Sequence, residues 1–139
     1  VRRPMVGAML LLSTATLWAW HLPAAYDAAL ADTGIYWAMQ LTLLASAVAF
    51  WRALIAAPAP AGLLGAVGGM AQMGMLGSLL TFAPAPLYSA HLATTVAWGM
   101  GPLQDQQLGG LIMWVPGMLP YAAAAAWLAR RAWRQVAAA

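Results

Sequence analysis

The stretch GLLGAVGGMAQMGMLGSLLTF, residues 62–82, runs through 21 positions without a charged side chain. About 20 consecutive apolar residues are needed to cross the roughly 30 Å hydrocarbon core of a bilayer as a helix. Backbone groups at that depth must be bonded within their own segment, which favours helix over strand. The same stretch is rich in small residues. Ala61 just before it, with Gly65, Gly69 and Gly77, repeats at multiples of four. That spacing makes one smooth helix face for close approach of another helix. The face reads either as packing within this chain or as a dock for another membrane protein.

Working outward, Ala57-Pro58-Ala59-Pro60 breaks the helix before this span, and Ala83-Pro84-Ala85-Pro86 breaks it after. Three further apolar stretches give an all-α, polytopic membrane bundle of about four spans, 5–20, 34–55, 62–82 and 108–129, in a single membrane domain covering residues 1–139. Pro4 sits at the start of the first span, where its missing N–H costs nothing. Pro23 is expected to start a short helix. The segment 87–107 is polar enough to leave the bilayer and apolar enough to lie on it, and part of it is expected to form a short interfacial helix. In the last span, Pro116 and Pro120 flank Gly117 and predict a bend near mid-membrane.

Composition agrees. Of 139 residues, 64% are hydrophobic and 6% are charged, against about a quarter charged in soluble domains. A chain this short with so little charge cannot cover a water-facing surface. There is no Cys and no Lys, which excludes disulfides and thiolate metal sites. The net charge of +3 comes from arginines that are not gathered into a nucleic-acid-binding face. Arg2 and Arg3 with the apolar run behind them look like a signal peptide. That run ends in aromatic residues rather than a small-residue cleavage site, so it reads as a retained anchor.

The arginines set the orientation. With four spans, Arg2, Arg3, Arg52, Arg130, Arg131 and Arg134 all fall on one side. This predicts a bacterial plasma-membrane protein with both termini cytoplasmic. The same threading puts Asp27, Asp32, Asp105, His21 and His91 together on the extracytoplasmic side. Trp18, Trp20, Trp37, Trp51, Trp98, Trp127 and Trp133 fall near the interfaces, and Trp114 lies inside the last span.

Several residues are candidates for chemistry. His21 closes the first span, either as an interfacial anchor or as an imidazole ligand for copper or zinc. Asp27 reads as a solvated surface acid. Asp105 reads as the N-cap of the last span, as an acidic ligand, or as both. Gln106, Gly110, Met113 and Gly117 share one helical face, with Met113 about 12 Å along the axis from Asp105. Met70, Met73 and Met75, with Gln72 among them, offer thioethers that suit Cu(I) or simply fill a core. Gln40 and Gln72 are expected to hydrogen-bond between helices. No nucleophile, zinc-protease or phosphate-loop motif occurs. Two histidines on one membrane side, neither in mid-span, argue against stacked bis-histidine haem. The absence of mid-span acids argues against a transporter.

Trp20-His21-Leu22-Pro23 is followed by Tyr26-Asp27-Ala28-Ala29-Leu30. Then come Phe50-Trp51, Pro86-Leu87-Tyr88, Trp98-Gly99-Met100-Gly101, and the run DQQLGGLIMWVPG over residues 105–117. In these motifs, their order and their spacing, the chain resembles the CtaG-like assembly factors of caa(3)-type cytochrome c oxidases. The resemblance covers nearly all of this chain and the C-terminal half of the family's usual length. It implies a non-enzymatic role in building haem-copper oxidases by assisting copper insertion on the extracytoplasmic side. Copper would be the metal, with no haem, and oxidase subunits and the lipid bilayer the partners. The implied metal residues are His21, Asp105 and Met113, with His91 added. The chain departs from the family where a His-x-x-x-His pair is usual, carrying Tyr36 and Gln40 instead. His91 stands where an aromatic is usual. A site with several imidazoles would then need a separate N-terminal half or a second copy of this chain. The alternative reading is a metal-free accessory subunit of a respiratory membrane complex.

Overall fold

The computed structural model describes residues 5–138. Arg2, Arg3 and Pro4, which bear on the orientation and start of the first span, lie outside the described residues. Six α-helices follow one another: α1 Val6–His21, α2 Pro23–Ala31, α3 Thr33–Ala56, α4 Ala59–Thr81, α5 Pro102–Trp114 and α6 Leu119–Ala137. Among the described residues there is no strand. Three helical segments among the described residues are long and apolar enough to cross a membrane: α3, α4, and α5 continued into α6. The 16 residues of α1 reach about 24 Å and fall short of that length, although α1 packs as a full member of the bundle.

Local chemistry places the corners. Leu22 and Ala57 are extended because each precedes a proline, which disfavours helical geometry at the residue before it. Pro23 then opens α2 at its first position, as expected. Asp32 joins α2 to α3 without a loop. Its backbone N–H closes α2 on the Ala28 carbonyl, and its carboxylate accepts the Ile35 N–H at 2.9 Å as the N-cap of α3. α4 starts at Ala59 rather than at residue 62, because Pro60 is tolerated in a first helical turn. Between residues 82 and 101 no α-helix forms. The loop there holds two single 3-10 turns, Ser89–His91 and Val96–Trp98, the second closed by Gly99 at φ +75°, a left-handed conformation that glycine adopts freely.

The last span also begins earlier than the apolar pattern suggests. Pro102 occupies the first turn of α5, and the Gln104 side chain accepts the Gly101 N–H at 3.0 Å. Asp105 is therefore not the N-cap. That position is Gly101, and Asp105 lies in the first turn, where its charge still favours the positive helix end. The expected bend is present. α5 ends at Trp114, a 3-10 turn covers Pro116–Met118, and α6 starts at Leu119. The Pro116 carbonyl, which Pro120 cannot reach, accepts the Leu119 N–H instead.

α4 is the hub. Its small residues meet four helices, and the pairs fix the directions. Gly65 faces Val6 and Gly68 faces Leu10, so α1 runs parallel to α4. Gly62 faces Leu128, Gly69 faces Tyr121 and Gly77 faces Trp114, so α5 and α6 run antiparallel to it. α3 is also antiparallel, with Phe50 against Gly69 and Leu54 against Gly65. The smooth glycine face is thus filled by this chain's own side chains. Phe50, Leu54, Ala66, Tyr121 and Leu128 form the core, with Met70 and Met73 packed against it. Met75 is 56% exposed, so the three methionines do not converge on one site. The Gln72 amide oxygen is buried without the interhelical partner expected for it.

This threading gathers the start of α3, the ends of α1 and α4, the first turn of α5 and the short α2 at one end of the bundle. His21, Asp27, Asp32, His91 and Asp105 lie there. Arg52, Arg130, Arg131 and Arg134 lie at the opposite end. Trp37, Trp98, Trp127 and Trp133 are exposed, as an aromatic belt requires. Trp51 instead packs inward on Tyr121, with ring centroids 5.0 Å apart.

Candidate functional site

A cavity of about 290 Å³ opens at the acidic end. His21, His91, Asp105 and Met113 all line it. They arrive from three places: the last residue of α1, the first 3-10 turn of the loop, and two positions of α5. The α5 face deduced from spacing is partly right. Gln106, Gly110 and Met113 line the cavity with Gly109 beside them. Gly117 lies past the helix break and does not. The floor exists because α4 and α5 cross glycine on glycine. A Cβ on Gly110 would meet the Gly77 carbonyl oxygen at 2.7 Å, and one on Gly77 would meet the Gly110 oxygen at 3.0 Å.

The His21 ring is held by its own helix. Nδ1 lies 2.7 Å from the Leu17 carbonyl oxygen. A carbonyl only accepts, so Nδ1 carries the proton and the neutral ring keeps its lone pair on Nε2. His91 Nε2 lies 2.9 Å from the Tyr26 hydroxyl. The Tyr26 ring also leans on Tyr88, with centroids 4.2 Å apart and planes tilted by 39°. The Tyr88 hydroxyl in turn donates to the His21 carbonyl oxygen at 3.0 Å. Burial pushes the Tyr88 phenol up to about 12, with Tyr26 and Asp27 adding to the effect. Burial likewise raises the Tyr26 phenol, helped by the charges of Asp105 and Asp27. Both rings therefore stay neutral and keep their hydroxyl protons at physiological pH.

The first half of the loop is tied to α2 on one side and to α5 on the other. Asp27 on α2 accepts three hydrogen bonds from it: Ser89 Oγ at 2.6 Å, Ser89 N–H at 3.1 Å and Ala90 N–H at 3.1 Å. Those bonds, the Ser89 hydroxyl first and the Ala90 N–H next, hold the Asp27 carboxyl below the usual carboxylate range, because they favour the charged form. Asp27 is thus a solvated acid that also latches α2 to the loop. On the α5 side, Gln106 Oε1 accepts the Leu87 N–H at 2.7 Å, and its Nε2 donates to the Leu80 carbonyl at 3.4 Å. Gln107 Nε2 reaches the Ala83 carbonyl at 3.4 Å.

Sequence reasoning did not single out Tyr26, Tyr88 or Asp27 for the site. The only local signal was their presence in the quoted motifs. Their partners are more than 60 residues away in sequence, and no spacing rule reaches that far. Tyr36 and Gln40, aligned with the family's histidine pair, do not line the cavity, and Tyr36 is exposed against Trp37.

The fold and site define a helical membrane protein whose conspicuous polar chemistry is one small imidazole- and thioether-lined cavity at one end of the bundle. The family model described as cytochrome c oxidase caa3 assembly factor matches residues 1–135. The chain belongs to that family. No curated protein and no solved structure matches it significantly.

Proposed function

We propose that this chain assists copper insertion into a haem-copper oxidase, working from the cavity on the extracytoplasmic side of a bacterial plasma membrane, with both termini cytoplasmic. The observation that carries the reading is convergence. His21, His91, Asp105 and Met113 come from distant parts of the sequence and line a single cavity. The gathering of Arg52, Arg130, Arg131 and Arg134 at the opposite end supports the orientation.

The donor set suits a metal in transit. Among the described residues, no three histidine or acidic side chains stand close enough to form a metal cluster of their own. What remains is at most two at a time of the His21, His91 and Asp105 side chains, with the Met113 thioether. Imidazole and thioether suit Cu(I), a soft ion content with few ligands. The Nδ1–H bond to Leu17 fixes the His21 tautomer in the way metal-binding imidazoles are commonly oriented. Few ligands make release easy. Copper held this way passes by ligand exchange to a client site that offers more imidazoles, with no covalent chemistry and no catalytic residue on this chain.

The test is Cu(I) affinity of the detergent-purified protein in competition with a chromophoric chelator, wild type beside His21→Ala. One equivalent of Cu(I), lost in the variant, is the expected result. No uptake by the wild type, or uptake indifferent to His21→Ala, overturns the copper role and leaves a metal-free accessory subunit of the oxidase complex.

A further inference from the structure

The end of the bundle away from the cavity carries a second surface, built on α6 alone. The buried side of α6 sets Tyr121 and Leu128 into the core. On its outer side, Ala123, Ala126, Trp127, Arg130, Arg131 and Arg134 line one groove of about 790 Å³. The groove changes character along its length. Ala123 and Ala126 leave an apolar channel with no bulky side chain in it. Trp127 stands at its middle, 47% exposed. Three guanidinium groups follow it, and Gln135 and Ala138 continue the lining beyond them.

Among the described residues those cations have no partner of opposite sign within reach. The chain contains three acidic side chains, and all are committed at the opposite end: Asp27 to the loop, Asp32 to the cap of α3, and Asp105 to the first turn of α5. Arg130 and Arg134 stand four residues apart on one helix, an arrangement of like charges that is unfavourable by itself. Arg131 lies over the Trp127 ring, 5.7 Å from its centroid. That cation–π contact fixes where the guanidinium is presented. The level is also defined. Within α6 itself, Ala126 and Ala123 lie about 6 and 10 Å from Arg130 toward the middle of the bundle, at 1.5 Å per residue. With cytoplasmic-side arginines at headgroup level, the two alanines stand on the acyl-chain side of them.

We propose that this groove is a seat for one anionic phospholipid. Its phosphate is held by Arg130, Arg131 and Arg134, the glycerol region lies against Trp127, and an acyl chain fills the channel over Ala126 and Ala123. A soluble anion would use the arginines and leave the channel empty. An acidic segment of a partner protein would have no use for a groove that dips to acyl-chain depth. The phospholipid uses both parts. The proposal is independent of copper binding at the other end.

The test is native mass spectrometry of the full chain released from micelles supplemented with equal phosphatidylglycerol and phosphatidylcholine. The wild type is expected to retain one phosphatidylglycerol with at least about tenfold preference. At roughly a fivefold gain per cation near a headgroup, that is within reach of three arginines. The triple variant Arg130→Gln, Arg131→Gln, Arg134→Gln is expected to lose the preference, while Arg52→Gln keeps it. Ala126→Trp, which retains every charge but fills the channel, is expected to lose retention as well. Circular dichroism confirms that each variant is folded. Equal retention of the two lipids by the wild type overturns the proposal. So does a preference unchanged in the triple variant, or full retention in Ala126→Trp. Displacement of the lipid by millimolar inorganic phosphate, or by an acidic peptide at lower concentration than phosphatidylglycerol, overturns it in favour of that ligand.

Discussion

The two ends of this bundle are built by opposite means. Below the cavity, toward the arginines, helices meet through absence of side chain. Gly62, Gly65 and Gly69 let α4 approach Leu128, Val6 and Tyr121 directly, and dispersion between close surfaces does the holding. At the cavity end the short α2 and the loop 82–101 join the long helices. The space between them is bridged by hydrogen bonds from Asp27, Tyr88, Gln106 and Gln107 to the loop and to helix ends. The contrast explains why the polar-lined cavity lies at one end, whereas the pocket of about 320 Å³ at the other end, between the start of α1 and the α3–α4 corner, is lined by apolar residues. Close apolar packing offers no donors, whereas a polar network holds donors apart at set positions. Gly77 and Gly110 mark the boundary, as the last dry crossing beneath the polar layer.

The largest effect is expected at that boundary. Gly110→Ala puts a methyl group on the Gly77 oxygen and the Thr81 hydroxyl, both at 2.7 Å. This should cost about 1–3 kcal/mol, the usual range for overpacking. Gly109→Ala, one residue away, meets nothing within 4 Å and should leave stability unchanged. Unfolding of both variants in detergent, followed by circular dichroism, would break the comparison if the two behaved alike.

Tyr26→Phe is next in size and probes the polar layer. It removes the hydroxyl that occupies His91 Nε2 and frees that nitrogen for a metal. A net hydrogen bond of about 0.5–1.5 kcal/mol corresponds to a Cu(I) affinity raised by roughly two- to tenfold in the chelator assay. Unchanged affinity would remove His91 from the site and leave His21 and Met113.

Alkaline pH should loosen the same layer. Because the folded-state value of Tyr88 lies above its ordinary 10.0, its contribution is intact below pH 10 and is lost as pH rises through about 12. Phenolate absorbance should therefore appear late and together with exposure of the loop to protease. The Asp27 latch has the opposite sign. Its carboxyl is held below the ordinary 3.8, so its contribution is present above that pH and lost as pH falls through the lowered value. Asp27→Asn should free Ser89 and Ala90 at neutral pH, read as faster amide exchange confined to the loop. Exchange that spread into α4 would mean that the two ends are not independent.

Much of this architecture was legible from residue type alone. Residues 62–82 could only be a buried or membrane helix, and Pro116, Gly117 and Pro120 broke the last span where the backbone lacks donors. His21, His91, Asp105 and Met113 were singled out from chemistry and from resemblance, and they do line one cavity. Less legible were the ends of elements. α4 and α5 begin before their apolar runs because prolines in a first turn and the Gln104 side chain start a helix where hydrophobicity gives no sign of one. Asp105 looked like a cap because the apolar run after it begins at Leu108.

Solvent preference, helix periodicity and charge asymmetry are properties of neighbouring residues, so the sequence by itself determined a helical membrane bundle and which polar residues share an end. The partners of Asp27, Tyr26, Tyr88 and Gln106, the filling of the glycine face by this chain's own side chains, and the groove on α6 were decided only by the tertiary structure. Each depends on how helices cross and on which side chains then meet. Those contacts join residues far apart in sequence, and they form only once the close approach at glycine has set the distances between helices.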